Sequence, residues 1–598
     1  MCGIIGQFNR GTSVQPLSLD SIRHRGPDSE GSWLSDDQQC WLGHTRLAIQ
    51  DLSHAGFQPI TSQCNRYTLV FNGEIYNHLQ IRRALRISTW RGSCDSETLV
   101  EGLAQRGPSI VLELRGMFAF AAYDSQKKQL LLARDRLGIK PLYVEIKHGS
   151  INFASEKRAL KGGKQISDQT ITQVLVFGHD NTVVPDNMDE VDGVFSMPPG
   201  VLIRIPISSP SVFIKYWPPQ PRPDWTPLPI TDRTWCKEFL RRQLLEVMRQ
   251  HLIADVDIAF FLSSGIDSGI LLSLACREMA NKISSFTVSL PGSPEDEARS
   301  AFQMAHYCGS DHHELYIDSN NALSWVEEAL TILDTPSVDA INTYMVSKAV
   351  ASQGIKVAIS GLGADELFGG YPAHRIIPWV HMLGIFPVQI RRWLISLIIP
   401  AYSYKFTDLN AWDTWHTSLC VRRWRNDDML RLAGAMPLRW PECPTNRILQ
   451  DWGQISWAEL FGYTEPMLLR DSDNMSMASG LELRVPYLDH EFVEAVLRIP
   501  RKFHGKGKTL LKESFSDLFP QGYLNHKKTG FGLPMRDWML GPLDQLCLMR
   551  IESLKQKNWL NEDWIRLEWD GFVKGQYSWN RAWSLVVLGE FARRDAVQ

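Results

Sequence analysis

The stretch from Asp257 to Cys276, DIAFFLSSGIDSGILLSLAC, limits what this chain can fold into more than any other. Ile258 to Leu262 is an apolar run short enough for a buried strand. A Ser-Ser-Gly-Ile-Asp-Ser turn follows, and then an apolar stretch of helix formers. A strand that ends in small residues and turns straight into a helix makes an anion site. The helix N-terminus offers unpaired N–H groups and the positive end of its dipole. Gly265 lets the backbone approach a phosphate, and Ser263, Ser264 and Ser268 add hydroxyl donors. Asp267 would repel that phosphate unless a Mg²⁺ stood between them. Taken alone, the stretch also reads as an ordinary capped βα turn.

At 598 residues the chain is too long for one core, so at least two domains are expected. Hydrophobic content of 44%, charged content of 22% and a net charge of −3 describe a globular protein with no nucleic-acid signature. The ten cysteines show no CxxC pair and no zinc spacing, and no signal peptide precedes them. A reduced, cytoplasmic protein is expected. The most apolar run, Trp393 to Ile399, is too short to span a membrane and ends at Pro400. His312-His313-Glu314 suggests a metal, but adjacent histidines do not share a helix face, and a surface loop or strand end is the expectation there.

The N-terminus reads Met1-Cys2-Gly3-Ile4-Ile5-Gly6. Removal of Met1 would leave Cys2 with a free α-amine, able to act as general base for its own thiol. Downstream stand Arg23-His24-Arg25-Gly26-Pro27-Asp28, an Arg46 opening a strand, Phe71-Asn72-Gly73-Glu74-Ile75-Tyr76-Asn77, and Cys94-Asp95-Ser96-Glu97 at a helix start. Strand patterns dominate, with helices between, as in a layered α/β sandwich.

These motifs resemble the class II glutamine amidotransferases over roughly the first two hundred residues. The resemblance implies an N-terminal-nucleophile αββα sandwich in which Cys2 attacks the side-chain amide of glutamine. Asn72 and Gly73 would form the oxyanion hole. Arg46 would hold the glutamine α-carboxylate, and Glu74 and Asp95, beside Asn72, its α-amino group. The Asp267 turn resembles the pyrophosphatase loop of the N-type ATP hydrolases, with Ser264 where Gly is usual and Gly269 where Ser is usual. Gly507-Lys508-Thr509 is not a Walker loop, since Lys502 stands where that motif needs Gly.

Dense proline from Pro206 to Pro229 predicts a stiff connection, and the domains expected are 1–205, a linker over 206–230, and 231–598. In the last, Ser285–Leu290 and Lys356–Ser360 read as strands, the second followed by Gly361-Leu362-Gly363-Ala364-Asp365. Ligands of open parallel sheets sit at the carboxyl ends of strands, so one site can collect these motifs, with Asp365 a second Mg²⁺ ligand opposite Asp267. Ala373 to Trp452 carries no usable motif and is expected to be helical cover. The whole chain resembles glutamine-hydrolysing asparagine synthetases of the bacterial type. That resemblance implies ATP and Mg²⁺ as cofactors, contacts from Leu262, Val288, Ser360 and Gly361 to ATP, and Lys528 on the activated acyl group. Lys527 reads as solvated.

The expected reaction is amidation of a carboxylate, aspartate or another, with ammonia from glutamine led through a tunnel. A stand-alone glutaminase and a non-catalytic nucleotide sensor are the competing readings, and a homodimer is left open. Two departures bear on aspartate. Leu362 stands where many aspartate enzymes carry a Glu, and the segment Asp334 to Asn342 is acidic where some carry an Arg for the α-carboxylate. A second carboxylate beside Asp339 would be repelled unless a Lys or Arg folds in from elsewhere.

Overall fold

The computed structural model describes residues 2–147, 149–180, 192–217, 227–279, 282–289, 298–406, 413–443, 451–525 and 532–596. The N-terminal half is built on two six-stranded sheets. The first runs, edge to edge, Gly193–Ser196, Tyr143–Lys147, Ser150–Ala154, Cys2–Asn9, Cys40–Arg46, Ser29–Leu34. The second runs Val212–Lys215, Val201–Pro206, Gln129–Arg134, Gly116–Asp124, Tyr67–Ile75, Ile60–Thr61. Every pairing in both is antiparallel.

The period of two along each strand decides how the sheets stack. In the first strand Ile4 and Phe8 point into the core between the sheets, where they meet Val70, Ala119, Ala121 and Leu130 of the other sheet. Ile5 points the opposite way, into a smaller cluster with Ile22, Trp41 and Leu160. The outer face of the second sheet is covered by helix Asp95–Arg106 through Leu99, Val100 and Leu103. The outer face of the first is covered by short 3₁₀ turns such as Asp20–Arg25 and Lys157–Ala159.

The proline-rich stretch departs from the linker expected over 206–230. Val212–Lys215 is a strand paired with Val201–Pro206, so the second sheet continues past residue 205. An edge position tolerates nearby proline, because one side of the strand needs no ladder donors. Residues 218–226 lie outside the described residues.

The third sheet is parallel throughout, in the order Asp311–Tyr316, Ser284–Ser289, Ile258–Phe261, Val357–Ile359, Glu482–Arg484. His312-His313-Glu314 therefore lies on an edge strand. The chain order reverses between Ile258–Phe261 and Val357–Ile359, which makes the carboxyl ends of those two strands the crevice of the sheet. Helices Arg233–His251, Ile266–Glu278 and Ala340–Ala351 pack around it, and the region from 373 onward forms further helices around a separate small core of Ile376, Ile377, Val380, Ile395 and Val421. Buried ion pairs join the halves: Arg25 to Asp473 at 2.7 Å, Arg115 to Asp489 at 2.8 Å and Arg484 to Glu74 at 3.3 Å.

Candidate active sites

Cys2 opens the central strand of the first sheet, directly opposite Arg46. It is buried, and burial pushes its thiol above the ordinary range, opposed by the N-terminal amine and by a hydrogen bond from the Leu47 N–H. The Cys2 N–H donates to Asn72 Oδ1 at 3.0 Å, which pins the Asn72 amide on the facing sheet. Its other end, Nδ2, is buried and meets no acceptor among the described residues. A buried donor without an acceptor costs free energy, unless a ligand oxygen completes it. That is the arrangement an oxyanion hole needs before substrate arrives. Gly73 is compelled by geometry: its φ is +151°, and a Cβ there would sit 2.1 Å from the Met117 carbonyl oxygen.

Arg46 donates to the carbonyls of Ser53 and Asp51 and lies 5.3 Å from the Phe57 ring. It makes no ion pair among the described residues. Glu74 accepts from Gln50 Nε2 at 2.5 Å and faces Arg484. Burial raises its pKa well above the carboxylate range, and Arg484 pulls it back. Asp95 accepts from the Ile75 N–H at 2.9 Å, and burial pushes it up to about 6. Cys2, Arg46, Asn72, Gly73, Glu74 and Asp95 thus fall around one point, on strands or at a helix start. Arg484 belongs to the same point and was not foreseen. It sits on the short strand that borders the parallel sheet, 410 positions after Glu74, and nothing in its spacing links the two.

The second site lies at the crevice of the parallel sheet. Ser263 Oγ accepts from the Gly265 N–H at 3.1 Å and shares a hydrogen bond with Ser268 Oγ at 3.1 Å, which shapes the turn. A Cβ on Gly265 would meet only Ser263 Oγ within 4 Å, so the backbone there is open to a ligand. Leu262 and Val288 are buried at adjacent strand ends, joined through Thr287 Oγ1, which donates to the Leu262 carbonyl at 2.6 Å. Ser360 continues the next strand, and Gly361 lies against Asp267: its Cβ would come 3.1 Å from that of Asp267.

Asp267 and Asp365 converge. Lys508 Nζ stands 2.5 Å from a carboxylate oxygen of each. Burial opposes the charge on Lys508, but the two carboxylates outweigh it and raise its pKa. Two hard oxygen donors within reach of one cation fit a Mg²⁺ whose remaining positions are filled by phosphates and water. No cluster of three or more protein metal ligands occurs among the described residues. Lys508 itself was set aside in the sequence as a false phosphate-loop lysine, and its true place is visible only in the fold. Lys528, expected on the acyl group, lies outside the described residues, as does Lys527.

The family profile described as "Asparagine synthase" matches residues 240–593, and that described as "Glutamine amidotransferase domain" matches residues 1–217. The chain belongs to the asparagine synthase family. Its members are carbon–nitrogen ligases, and membership carries ATP-dependent amidation with glutamine as the nitrogen source. Among curated relatives, "Asparagine synthetase [glutamine-hydrolyzing] 1" of Bacillus subtilis is 27% identical over 94% of this chain and 92% of its own length. "Asparagine synthetase B [glutamine-hydrolyzing]" of Escherichia coli is 32% identical over 62% and 65%. A relative with another name, "Amidase chry2" of Gibberella zeae, is 27% identical over 92% and 89%.

A cavity of about 270 Å³ adjoins the second site in this family member. Tyr371 forms part of its wall and donates to Glu366, the neighbour of Asp365, at 3.3 Å. Asp339 lines the cavity and has no ion-pair partner among the described residues; burial raises its pKa and Arg422 opposes that. Arg422 is held by Glu459 through Nε at 2.7 Å and lies over the Tyr463 ring at 3.4 Å. Glu459 Oε1 is buried and meets no donor among the described residues. Lys405 Nζ donates to the Val421 carbonyl at 2.7 Å and has no counter-ion among the described residues; burial and the nearby arginines lower its pKa to about 8. Lys405, Arg422 and Glu459 come from the stretch that offered no motif, or just beyond it. The wall is completed by a wide-wound π-helix, Leu460–Leu469, a form common at functional sites.

Proposed function

We propose that this protein makes an amide from a dicarboxylic amino acid, aspartate first among them, through an acyl-adenylate. The observation that carries the reading is the convergence of Asp267 and Asp365 on one cation at the crevice of the parallel sheet, in the same chain as Cys2. At the first site Cys2 Sγ attacks the glutamine amide carbon. Asn72 Nδ2 and the Gly73 N–H receive the developing oxyanion, ammonia leaves, and water then frees glutamate from the thioester. At the second site a Mg²⁺ held by Asp267 and Asp365 would supply charge neutralisation for bound ATP. The acceptor carboxylate oxygen displaces pyrophosphate from the α-phosphorus. Ammonia then displaces AMP from the acyl carbon. Lys508 holds the two aspartates in place, and with a Mg²⁺ on them its charge would be available to the phosphates.

The charges around Asp339 support an amino-acid acceptor. Lys405 and Arg422 are the cations that the 334–342 segment lacks, and Asp339 with Glu459 Oε1 suits an ammonium. Fixed charges of both signs also make the cavity a poor conduit for ammonia, which an acid would protonate. Leu362, half-buried and packed on the main core, favours a second reading, in which the acceptor is a larger amino-bearing carboxylate. The test is a panel of aspartate, succinate, N-acetylaspartate and larger amino acids, with glutamine and ATP, read by mass spectrometry for amide, AMP and pyrophosphate. The expected result is amide from aspartate with AMP in equal amount, and far less from succinate. ADP and phosphate as products would defeat the adenylate route. Preference for succinate over aspartate would defeat the assignment of Asp339.

A further inference from the structure

The helical segment after the Asp365 loop packs on the molecule with one face and turns a second apolar face to solvent. Helix Ala373–Met382 buries Ile376, Ile377 and Val380 in the small core that it shares with Ile395. On its other side Trp379 is 57% exposed. Helix Val388–Ile398 repeats the arrangement: Ile390, Trp393 and Leu397 recur every three or four positions and are all exposed, Trp393 and Leu397 at 61% each, and Phe386 just before the helix is exposed as well. Between the helices Ile385 is 84% exposed. A helix with apolar residues on both faces is ordinarily covered on both, and a contiguous apolar patch on a surface marks an interaction site.

Charge decides what covers this one. Between Glu366 and Asp408 the chain has no Asp or Glu, while Arg375, Arg391, Arg392 and Lys405 fall in that interval. The chain as a whole is slightly acidic, so the concentration of cations is local. Arg375 and Arg392 are exposed on the same segment. A second copy docked here by two-fold symmetry would meet the same patch, setting these cations near their own images. A lipid surface has no such conflict. Trp, Ile and Leu on a helix face flanked by Arg is the composition of a face that lies in the headgroup region, and anionic lipids reward each nearby cation.

We propose that residues 373–398 dock this enzyme on the surface of an anionic lipid bilayer, with Trp379, Ile385, Trp393 and Leu397 entering the boundary of the acyl chains and Arg375 and Arg392 meeting lipid phosphates. The contact is in-plane, since no helix among the described residues is long and apolar enough to cross a membrane. It places the Asp339 cavity, whose wall includes Ala373 and Lys405, close to the lipid surface.

The test is co-sedimentation of the full chain with vesicles of phosphatidylcholine and phosphatidylglycerol, and with vesicles of phosphatidylcholine alone. Binding to the anionic vesicles is expected, with weaker binding to the neutral ones and a loss of binding as salt is raised. The double variant Trp393→Glu/Leu397→Glu should lower the partition coefficient by about tenfold or more. Arg392→Gln should lower it about fivefold on anionic vesicles only. All three substituted side chains are exposed, so the fold is not at stake, and circular dichroism checks it. Absence of binding to anionic vesicles overturns the proposal, as does binding that survives the double variant. A dimer in solution that the double variant dissociates also overturns it, in favour of a second copy on this face.

Discussion

The two reaction sites differ in how far the fold completes them before any ligand arrives. The glutamine site is finished. Its proposed nucleophile, oxyanion amide and glycine are on strands of two stacked sheets, and among its buried polar atoms Asn72 Nδ2 is a donor that meets no acceptor among the described residues. The ATP site is provisional. Its two aspartates sit in the first turns of helices Ile266–Glu278 and Ala364–Phe368, each just after a strand, and an internal cation, Lys508, holds them together. Acyl transfer needs fixed dipoles, which strands supply at no cost at the moment of reaction. Nucleotide binding brings its own charge and its own metal, so a site for it must exchange one set of ion pairs for another. Strands suit the first task and glycine-rich turns the second.

The largest effect should come from separating the two. Cys2→Ala should lower glutamine-dependent amidation by at least about 10³-fold, the scale seen when a nucleophile is removed. Amidation with added ammonia should persist, because the second site lacks nothing. Loss of both activities in a folded variant, measured side by side at saturating ATP, would break the comparison at its root. Retained Met1 should mimic the substitution, since the amine of Cys2 is the proposed base.

The converse variant is Asp267→Ala. Amidation from either nitrogen source should fall by about 10²–10³-fold, as one ligand of the metal is lost. Glutaminase activity, followed as glutamate release, should survive in part. Lys508 would then keep only Asp365. A variant that retained amidation would show that the two aspartates do not act on the same cation. Asn72→Ala sharpens the other side: glutaminase kcat should drop about 10²-fold, with a smaller change in KM, because the amide acts mainly on the transition state.

The residues that the sequence made legible share a property. Cys2, Asn72, Gly73, Asp267, Gly361 and Asp365 each stand within a few positions of a strand end, flanked by glycine or another small residue, so that turn chemistry betrays them locally. Arg484, Lys508, Lys405 and Arg422 have no such flank. Arg484 reaches Glu74 across the boundary of the two halves, and its partner is named only by the packing of a short strand beside the parallel sheet. Lys405 lies in a single 3₁₀ turn, Tyr404–Phe406, and Arg422 ends helix Thr414–Arg422; neither has a local signature, and a cavity gathers them with Asp339 from different parts of the chain. The strand Val212–Lys215 is hidden within the stretch read as a linker for a related reason. Proline density reads as extension, and an extended chain at a sheet edge is also a strand.

The smallest expected effect tests how rigid the finished site is. Asp95 is fully enclosed beside Glu74 and Glu482, and burial lifts its pKa to about 6, against the pull of the Ile75 and Ser96 N–H groups. Its carboxylate is charged above that value and takes a proton as the pH falls through it. In the proposed site the charged form is the one that attracts the ammonium of glutamine. KM for glutamine in the glutaminase reaction should therefore be flat above about pH 7 and should rise below about pH 6, approaching tenfold one pH unit lower. A raised pKa in an acid also means that folding gives up stability to keep the charge, and that this penalty fades on acidification. The acid limb should thus appear in KM without any loss of fold. Glu74 is the other buried carboxylate that faces the ammonium, and burial raises it as well. Asp95→Asn separates the two: with Asp95 responsible, KM becomes high and level across the range, whereas an acid limb that persists in the variant belongs to Glu74 and its partner Arg484.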